Sequence, residues 1–260
     1  MLRDLLAHRD LLWLLTVREI RVRYARAALG VAWAIFPPLV MAAVFSVLNF
    51  GRLIDATSPF HATPYVVFAL VGLVPWAHFA TSLQQATPSL VLASSILKKA
   101  SFPHAVVPLA RVLAALLDLG VGVLVVAALL AWNHVPVGAS LAAVPLVFAL
   151  QLAFTAGLAL LLSAANMFFR DVNYLFQVAI VLAMFATSVV YPISPSSPLA
   201  AEVLRWNPMS SYLDAYRSAV LLRTWPSLAA LLPGVVGAVL SLGLGGYVFT
   251  RSSPRFAEEV

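Results

Sequence analysis

Four arginines, Arg18, Arg21, Arg23 and Arg26, lie close together in the N-terminal part of the sequence. A guanidinium group presents a planar fork of donors that suits phosphate, so the cluster has the chemistry of an anion site. A long apolar run begins at about residue 29, directly after the cluster. The arginines could contact a phosphorylated headgroup, or they could act only as a topology signal for a membrane span.

Asp118 is the one deep carboxylate of the sequence, because it lies in the middle of an apolar run from 105 to 131. Placing a charged carboxylate at the centre of a membrane helix costs about 2.5–3.5 kcal/mol on insertion scales. Arg111 lies about 10 Å away along the same helix, which makes it a poor partner. Two interpretations stay open: a structural hydrogen bond to a neighbouring helix, or a role in transport or gating.

The motifs of ordinary active sites are missing. There is no G-x-x-x-x-G-K-[ST], so this chain does not itself hold ATP in a P-loop, and there is no H-E-x-x-H. The five histidines are scattered without ligand spacing and cysteine is absent, so no metal site, thiolate nucleophile or disulfide is expected. The glycines of 242–247 do not complete G-x-G-x-x-G, because position 248 is Val, and they predict close helix packing. We therefore expect no catalytic residue and no cofactor in this chain.

Composition defines the class of protein that must position these residues. Hydrophobic residues make up 62% and charged residues 10% of the sequence, and the mean hydropathy is +0.97. Soluble domains contain about 25% charged residues, so the composition predicts an integral membrane protein. The isoelectric point near 10.1 also raises the possibility of nucleic-acid binding. The Lys and Arg residues stand at the ends of apolar runs rather than on a basic face, so no nucleic-acid partner is expected.

The apolar runs predict an all-α membrane protein with six transmembrane helices, since each run can cross a hydrocarbon core of about 30 Å. With a cytoplasmic N-terminus, only Arg52, Arg205, Arg217 and Arg223 of the 16 Lys and Arg residues lie outside. The positive-inside rule therefore predicts that both termini are cytoplasmic. The spans are predicted at 29–50, 65–83, 105–131, 139–165, 174–191 and 227–250, between a cytoplasmic N-terminus (1–28) and a cytoplasmic tail (251–260).

The N-terminal arginines can be placed on a helix. Trp13, Val17, Ile20 and Tyr24 follow helical spacing and form one narrow apolar stripe, with the arginines around the rest of the circumference. A basic amphipathic helix of this kind lies at the headgroups of the cytoplasmic leaflet, where each Arg near anionic lipid gains about 1 kcal/mol. We predict an interfacial helix that contacts membrane lipids.

Two cytoplasmic loops carry the remaining charges of interest. The segment 84–104 predicts a short helix that Pro88 and Ser89 could open and that Pro103 ends, with Lys98 and Lys99 near its C-terminus. Such a helix could be a connector or a docking element for a soluble partner. In the shorter loop 166–174, Arg170 and Asp171 are adjacent, so they are expected to contact separate partners.

The segment 191–226 predicts two further helices. Ser197 before Pro198, and Asn207 before Pro208, each combine an N-cap residue with a proline at the first helical position. The pair is expected to be interfacial or re-entrant on the outer side. Backbone at membrane depth is tolerated only against protein or a water-filled cavity, which suggests a pathway nearby.

Six stretches of the sequence resemble, in the same order, the permease subunits of ABC exporters that move polyprenyl-linked polysaccharides such as O-antigen, capsule and teichoic acid. One departure is Ser188 followed by Val189, where the family often has Ser-Pro. The stretches are RVRYARAALGVAWAIFPPL (21–39), GLVPWAHF (72–79), ILKKASFPHAVVP (96–108), FFRDVNY (168–174), WNPMSSYLDAYRS (206–218) and RFAEE (255–259).

The resemblance implies roles for three groups of residues. Contact with the ATPase would involve Ser94, Ser95, Leu97, Lys98, Lys99, Ser101, Arg170 and Asp171. An interface helix at the lipid headgroups would include Trp13, Arg18, Arg21, Arg23, Tyr24 and Arg26. A pathway or gate could involve Asp118, Tyr191, Asn207 and Arg217.

The resemblance also implies the partners and the activity. Two copies of the chain would work with two ATPase subunits, which bind ATP and Mg. Together they would export a lipid-linked polysaccharide across the bacterial cytoplasmic membrane, and O-antigen is the favoured identity of this polysaccharide. A drug, haem or other lipid exporter is the nearest alternative. A membrane glycosyltransferase would need clustered carboxylates or histidines, and a proton-coupled transporter would need more ionisable groups in its spans than Asp118.

Overall fold

The computed structural model describes residues 5, 7–25, 30–48, 60, 63–97, 102–190 and 197–256. These residues are almost entirely helical, and no strand occurs among them. The helices of the first half are α1 (Arg9–Tyr24), α2 (Phe36–Val47), α3 (Tyr65–Ala86), α4 (Ser89–Leu92), α5 (Ser94–Leu97), α6 (Val106–Ala114) and α7 (Leu116–Trp132). Those of the second half are α8 (Val144–Phe168), α9 (Asp171–Phe185), α10 (Pro198–Arg205), α11 (Pro208–Val220) and α12 (Leu228–Ser252).

Four helical segments of the described chain are long and apolar enough to cross a membrane: Tyr65–Ala86, Val106–Trp132, Ala139–Phe168 and Leu228–Arg255. They match the second, third, fourth and sixth predicted spans. In the first and fifth predicted spans the described helices, α2 and α9, have only 12 and 15 residues. Over the residues that it describes, the structure thus shows an all-helical fold with four helical segments of spanning length.

Helix α3 forms the centre of the hydrophobic core. All residues from Val67 to Trp76 are buried, and α2, α6, α7, α8 and α11 pack around this helix. Pro75 interrupts the ordinary hydrogen bonding of α3. Its carbonyl accepts a hydrogen bond of 2.9 Å from Gln151 of α8, whose side-chain oxygen accepts another of 2.9 Å from the Tyr216 hydroxyl. These two bonds pair the Pro75 carbonyl, the Gln151 amide and the Tyr216 hydroxyl with one another inside the core.

Helices α8 and α12 approach each other through glycines. A Cβ at Gly245 would overlap the carbonyl of Gly157, and a Cβ at Gly157 would overlap the backbone of Ser241 and Leu242. Small residues permit this close contact between the two backbones. The prediction that the glycines of 242–247 serve helix packing is confirmed at Gly245.

The short helices outside the spans agree only partly with the sequence. Helices α10 and α11 begin at Pro198 and Pro208, as predicted. The prediction of one continuous helix in 84–104 was wrong, because α3 continues to Ala86 and two single turns follow, α4 and α5. The expected start at Ser89 is confirmed by α4. The Ser89 hydroxyl donates 2.6 Å to the Ala86 carbonyl, a local side-chain bond of the type that competes with continuous helix.

Candidate functional site

Two ion pairs attach α1 to the spanning segment Val106–Trp132. The Glu19 carboxylate pairs with Arg111 of α6, and the Arg23 guanidinium pairs with Asp118 of α7. Glu19 and Arg23 are one helical turn apart on the same face of α1. The four side chains are only 10% to 24% exposed. Because solvent screens them little, these pairs should contribute more than ion pairs on an open surface.

Asp118 is the centre of a small polar network. Its two carboxylate oxygens accept hydrogen bonds from Arg23 and from the Tyr24 hydroxyl, and Arg23 also donates to the side-chain oxygen of Gln85. Burial, assisted by the Asp118 carboxylate, raises the pKa of Tyr24 to about 12, so the phenol stays a donor at neutral pH. Asp118 thus has a structural partner, on α1 rather than on a spanning helix, and its role in gating stays a prediction.

The face of α1 that contacts the chain differs from the predicted apolar stripe. Thr16 and Glu19 are buried, whereas Trp13 is 68% exposed. Tyr24, the last residue of the predicted stripe, makes a polar contact, because its hydroxyl binds Asp118. The stripe did not predict this contact, and the position of α1 at the lipid headgroups stays a prediction. Trp13 is left on the outside, where a lipid surface can reach it.

The arginines of the cluster divide into two groups. Arg23 is engaged by Asp118 and Gln85, whereas Arg18 and Arg21 are exposed. Arg26 lies outside the described residues.

Sequence reasoning missed Glu19, Gln85 and Arg111 as members of this site. Glu19 offered a signal, because it is the only acidic residue between Asp10 and Asp55 and lies four residues before Arg23. Gln85 carried no such signal in the sequence.

The segment that contains α4 and α5 is anchored at one end and exposed at the other. Leu90 is completely buried in a cluster of apolar side chains with Phe249 and Phe256, whereas Leu92 is 70% exposed. Of the predicted coupling residues, Ser94 is half-buried and Ser95 is exposed. Leu97 ends α5, while Lys98, Lys99 and Ser101 lie outside the described residues.

The C-terminal end of the described chain packs against this same cluster. The Phe256 ring is fully buried beside Phe249, Phe168 and His104, with ring centroids 5.3–5.9 Å apart. A hydrogen bond of 3.1 Å joins His104 Nδ1 to the Ser253 hydroxyl. Burial lowers the pKa of His104 below its ordinary value. The residues that follow α12 therefore meet the start of the segment Val106–Trp132 in the cluster that contains Leu90 of α4.

Arg170 and Asp171 lie where α8 gives way to α9. Arg170 precedes the first residue of α9 and Asp171 occupies its first turn, where a carboxylate suits the helix dipole. Both side chains are exposed. Within the described part of the chain they form no ion pair with each other, and their contact with separate partners stays a prediction.

At the opposite end of the molecule, Asn207 and Arg217 fix α11 to the end of α9. Asn207 caps α11 by accepting from the backbone N–H groups of Met209 and Ser210 at 3.0 and 3.4 Å. Its amide nitrogen donates to the Thr187 hydroxyl at 3.0 Å. These contacts are structural, so a gating role of Asn207 stays a prediction. Tyr191, predicted beside it, lies outside the described residues.

Arg217 is buried in the core with 1% of its surface exposed. It donates to the backbone carbonyls of Ser188 and Val189, and its guanidinium carbon lies 4.0 Å from the centroid of the Phe68 ring. Val189 stands where the resemblance leads us to expect proline, and Arg217 holds this turn after α9 through the two carbonyls. Arg217 faces protein rather than a cavity of the described structure, and its role in gating stays a prediction.

A cavity of about 320 Å³ lies beside the Asp118 network, between α1, α2, α3 and α7. Its polar wall is formed by Arg23, Tyr24, Gln85, Asp118 and His78. No group of three His, Asp or Glu side chains suited to a metal ion occurs in the described residues.

Comparisons with known proteins give this arrangement a context. Residues 10–221 match the family described as ABC-2 type transporter. The chain is similar to an O-antigen export system permease protein RfbA of Klebsiella pneumoniae, at 27% identity over 96% of this chain and 94% of the relative. It is also similar to one of Myxococcus xanthus, at 28% identity over 100% of this chain and 99% of the relative. The chain therefore belongs to the ABC-2 type transporter family, as a multi-pass permease of a bacterial cytoplasmic membrane.

Proposed function

We propose that this chain is the permease subunit of an ABC exporter that carries a polyprenyl-diphosphate-linked polysaccharide to the outer side of the cytoplasmic membrane. O-antigen is the polysaccharide that we propose. The observation that carries this proposal is the similarity along the full length to permeases named for O-antigen export. The ATP and Mg that drive the export belong to a separate ATPase subunit, since the sequence has no P-loop.

The proposed topology has six spans with both termini in the cytoplasm. The excess of Lys and Arg in the predicted cytoplasmic segments supports it. Helices α2 and α9 are then the helical parts of the first and fifth spans. On the outer side, α10 and α11 rest against the membrane core, and the buried face of α11 supports this placement.

The segment around α4 and α5 is proposed to enter the ATPase. Leu90 holds one end of the segment in the apolar cluster, while Leu92 and Ser95 face outward. Movement of the ATPase would thus reach α8 and α12 through the residues that surround Leu90 and Phe256. Arg170 and Asp171 are exposed on the same cytoplasmic side and can contact the partner or α1.

The exposed arginines of α1 are proposed to contact the diphosphate of the lipid carrier. Arg18 and Arg21 are exposed, and guanidinium groups bind phosphate bidentately. The ion pairs of Glu19 and Arg23 hold the helix in place. Simple anchoring of α1 to anionic lipid is the alternative. Export that survives R18Q/R21Q unchanged, with normal insertion, would favour anchoring.

A second copy of the chain is proposed to pack on α9. Only Ile180 of this helix is buried, although the helix is apolar, and Val178 is 62% exposed. The sequence contains no cysteine, so single cysteines can be introduced without background. We expect V178C to cross-link between copies in membranes. L240C on α12, which is 64% exposed, is the matched control and should stay uncross-linked.

The proposed function is tested by charge reversal in the coupling segment. We expect the double variant K98E/K99E to abolish delivery of the polysaccharide to the cell surface, while the chain remains in the membrane and the lipid-linked polysaccharide accumulates inside. R205E, in exposed α10 on the predicted outer side, is the control and should leave export intact. Normal export and normal coupled ATP hydrolysis in K98E/K99E would contradict the assignment of this segment.

A further inference from the structure

Two cavities meet beside α1 and together form an amphipathic site. The first, here called the polar cavity, is the 320 Å³ space lined by Arg23, Gln85, Asp118 and His78. The second, the apolar cleft, has about 780 Å³ and lies between α3, α7 and α8. Val74 and Leu119 line both spaces, so the two adjoin. Their volumes lie in the range of about 300–1,000 Å³ that is typical of ligand pockets.

His78 is a polar group without a satisfactory partner in the wall of the polar cavity. Only 1% of its surface is exposed, and neither ring nitrogen makes a hydrogen bond with the described residues. The backbone of Val112 is near enough to interact with the ring, but not with the geometry of a hydrogen bond. The ring nitrogens have almost no accessible surface in the present arrangement. Because buried polar groups are normally paired, a turn of the ring toward a ligand in the polar cavity would supply the missing contact.

The charges of the polar cavity suit a zwitterion. Arg23 and Asp118 bring one positive and one negative group to the same wall. After their mutual contact, the guanidinium still has unused N–H donors and the carboxylate unused lone pairs. A phosphate can therefore bind Arg23 while an ammonium group binds Asp118 and Gln85. A purely anionic headgroup would leave Asp118 opposed by a like charge.

The apolar cleft suits a hydrocarbon chain. Its walls run along α7 from Leu119 to Ala131 and are almost entirely aliphatic or aromatic, with the Tyr216 side chain among them. Val123 on its rim is 52% exposed, so the cleft opens at the side of the helices, where a membrane would lie. An acyl chain in this cleft would emerge from a headgroup held beside Asp118.

We propose that a bilayer phospholipid with a zwitterionic, hydrogen-bonding headgroup, of the phosphatidylethanolamine class, occupies these two cavities as a bound lipid. Its phosphate contacts Arg23 and, once the ring turns toward the cavity, His78. Its ammonium group contacts Asp118, and one acyl chain fills the apolar cleft. The lipid then holds α1 against α3 and α7. This proposal is independent of the exported substrate, because it concerns a bilayer component.

Native mass spectrometry of the full chain, purified in detergent and offered dioleoyl phosphatidylethanolamine, tests the proposal. Ala127 and Ala128 are both exposed, but only Ala127 lines the apolar cleft. We expect A127W to weaken lipid retention about tenfold, as the loss of a buried chain contact predicts. A128W, the matched control, should retain one lipid per chain as the wild type does. Equal retention by the two variants would overturn the proposal.

The headgroup is tested with three lipids that carry the same acyl chains. The wild type should prefer phosphatidylethanolamine to phosphatidylcholine and to phosphatidylglycerol, because phosphatidylcholine has no N–H donor and phosphatidylglycerol has no cation for Asp118. H78F, which keeps an aromatic ring, should lower retention without unfolding the chain. Equal retention of the three lipids would overturn the proposal.

Two other occupants of the cleft would also overturn it. A polyprenyl diphosphate that displaces the phospholipid one for one would identify the site as a substrate site. Loss of the dimer in A127W, with lipid retention unchanged, would identify the cleft as an interface between copies.

Discussion

The two ends of the molecule use arginine in different ways. At the α1 end, Arg23 and Arg111 pair with the carboxylates of Asp118 and Glu19, and all four side chains keep some exposure to solvent. At the α11 end, Arg217 is completely enclosed and binds two backbone carbonyls. When a partly exposed ion pair opens, water can solvate both of its charges. Water does not reach a guanidinium sealed against main-chain carbonyls, so the α1 end is suited to move and the α11 end to stay fixed.

The largest expected effect belongs to the fixed end. R217M removes the donors for the Ser188 and Val189 carbonyls, and each carbonyl left unpaired in the core costs about 1–3 kcal/mol. We expect the free energy of unfolding to fall by about 3 kcal/mol or more, measured by thermal unfolding in detergent. R217K should rescue only part of this loss, because an ammonium cannot reproduce the bidentate contact. Wild-type stability in R217M would remove the contrast between the two ends.

The packing of α8 against α12 gives an intermediate effect. G245A places a methyl group against the Gly157 carbonyl, and such overpacking costs about 1–3 kcal/mol. G243A is the matched control, because a Cβ at Gly243 meets nothing within 4 Å. We expect thermal unfolding to show a lower midpoint for G245A and an unchanged or higher one for G243A. Equal midpoints would refute the close contact.

At the α1 end, a double-mutant cycle of R23Q and D118N should yield a coupling energy of about 1–2 kcal/mol. Both single variants should increase hydrogen exchange in α1 but leave exchange in α11 unchanged. R21Q, which alters an exposed arginine of the same helix, is the control and should leave α1 protected. Coupling near zero would mean that the pair does not hold α1.

The smallest effect is expected at His104. Because burial lowers its pKa in the folded state, the unfolded chain binds more protons just below the ordinary value, and stability falls as the pH falls there. We expect the protection factors of the amides of Ser253, Arg255 and Phe256, which correct for the intrinsic pH dependence of exchange, to fall from pH 7.5 to pH 5.5. The variant H104N should lose this dependence. An unchanged pH dependence in H104N would assign the effect to another group.

The sequence predicted well those features that follow from local pattern. Proline after a cap residue located the starts of α10 and α11, and the apolar runs located the four long helices. It could not predict contacts between distant segments, because the pairing of Glu19 with Arg111 depends on how α1 crosses α6. For the same reason, the apolar stripe did not predict that the Tyr24 hydroxyl binds Asp118. Helical spacing defines a face, but only packing decides what that face contacts.

The most direct test of the central claim is a reconstitution of the chain with its ATPase partner in liposomes. We predict that a polyprenyl-diphosphate-linked polysaccharide stimulates ATP hydrolysis and appears on the outer side, and that K98E/K99E abolishes both the stimulation and the transfer. Stimulation and transfer by a drug or by haem, with no response to the lipid-linked polysaccharide, would contradict the account.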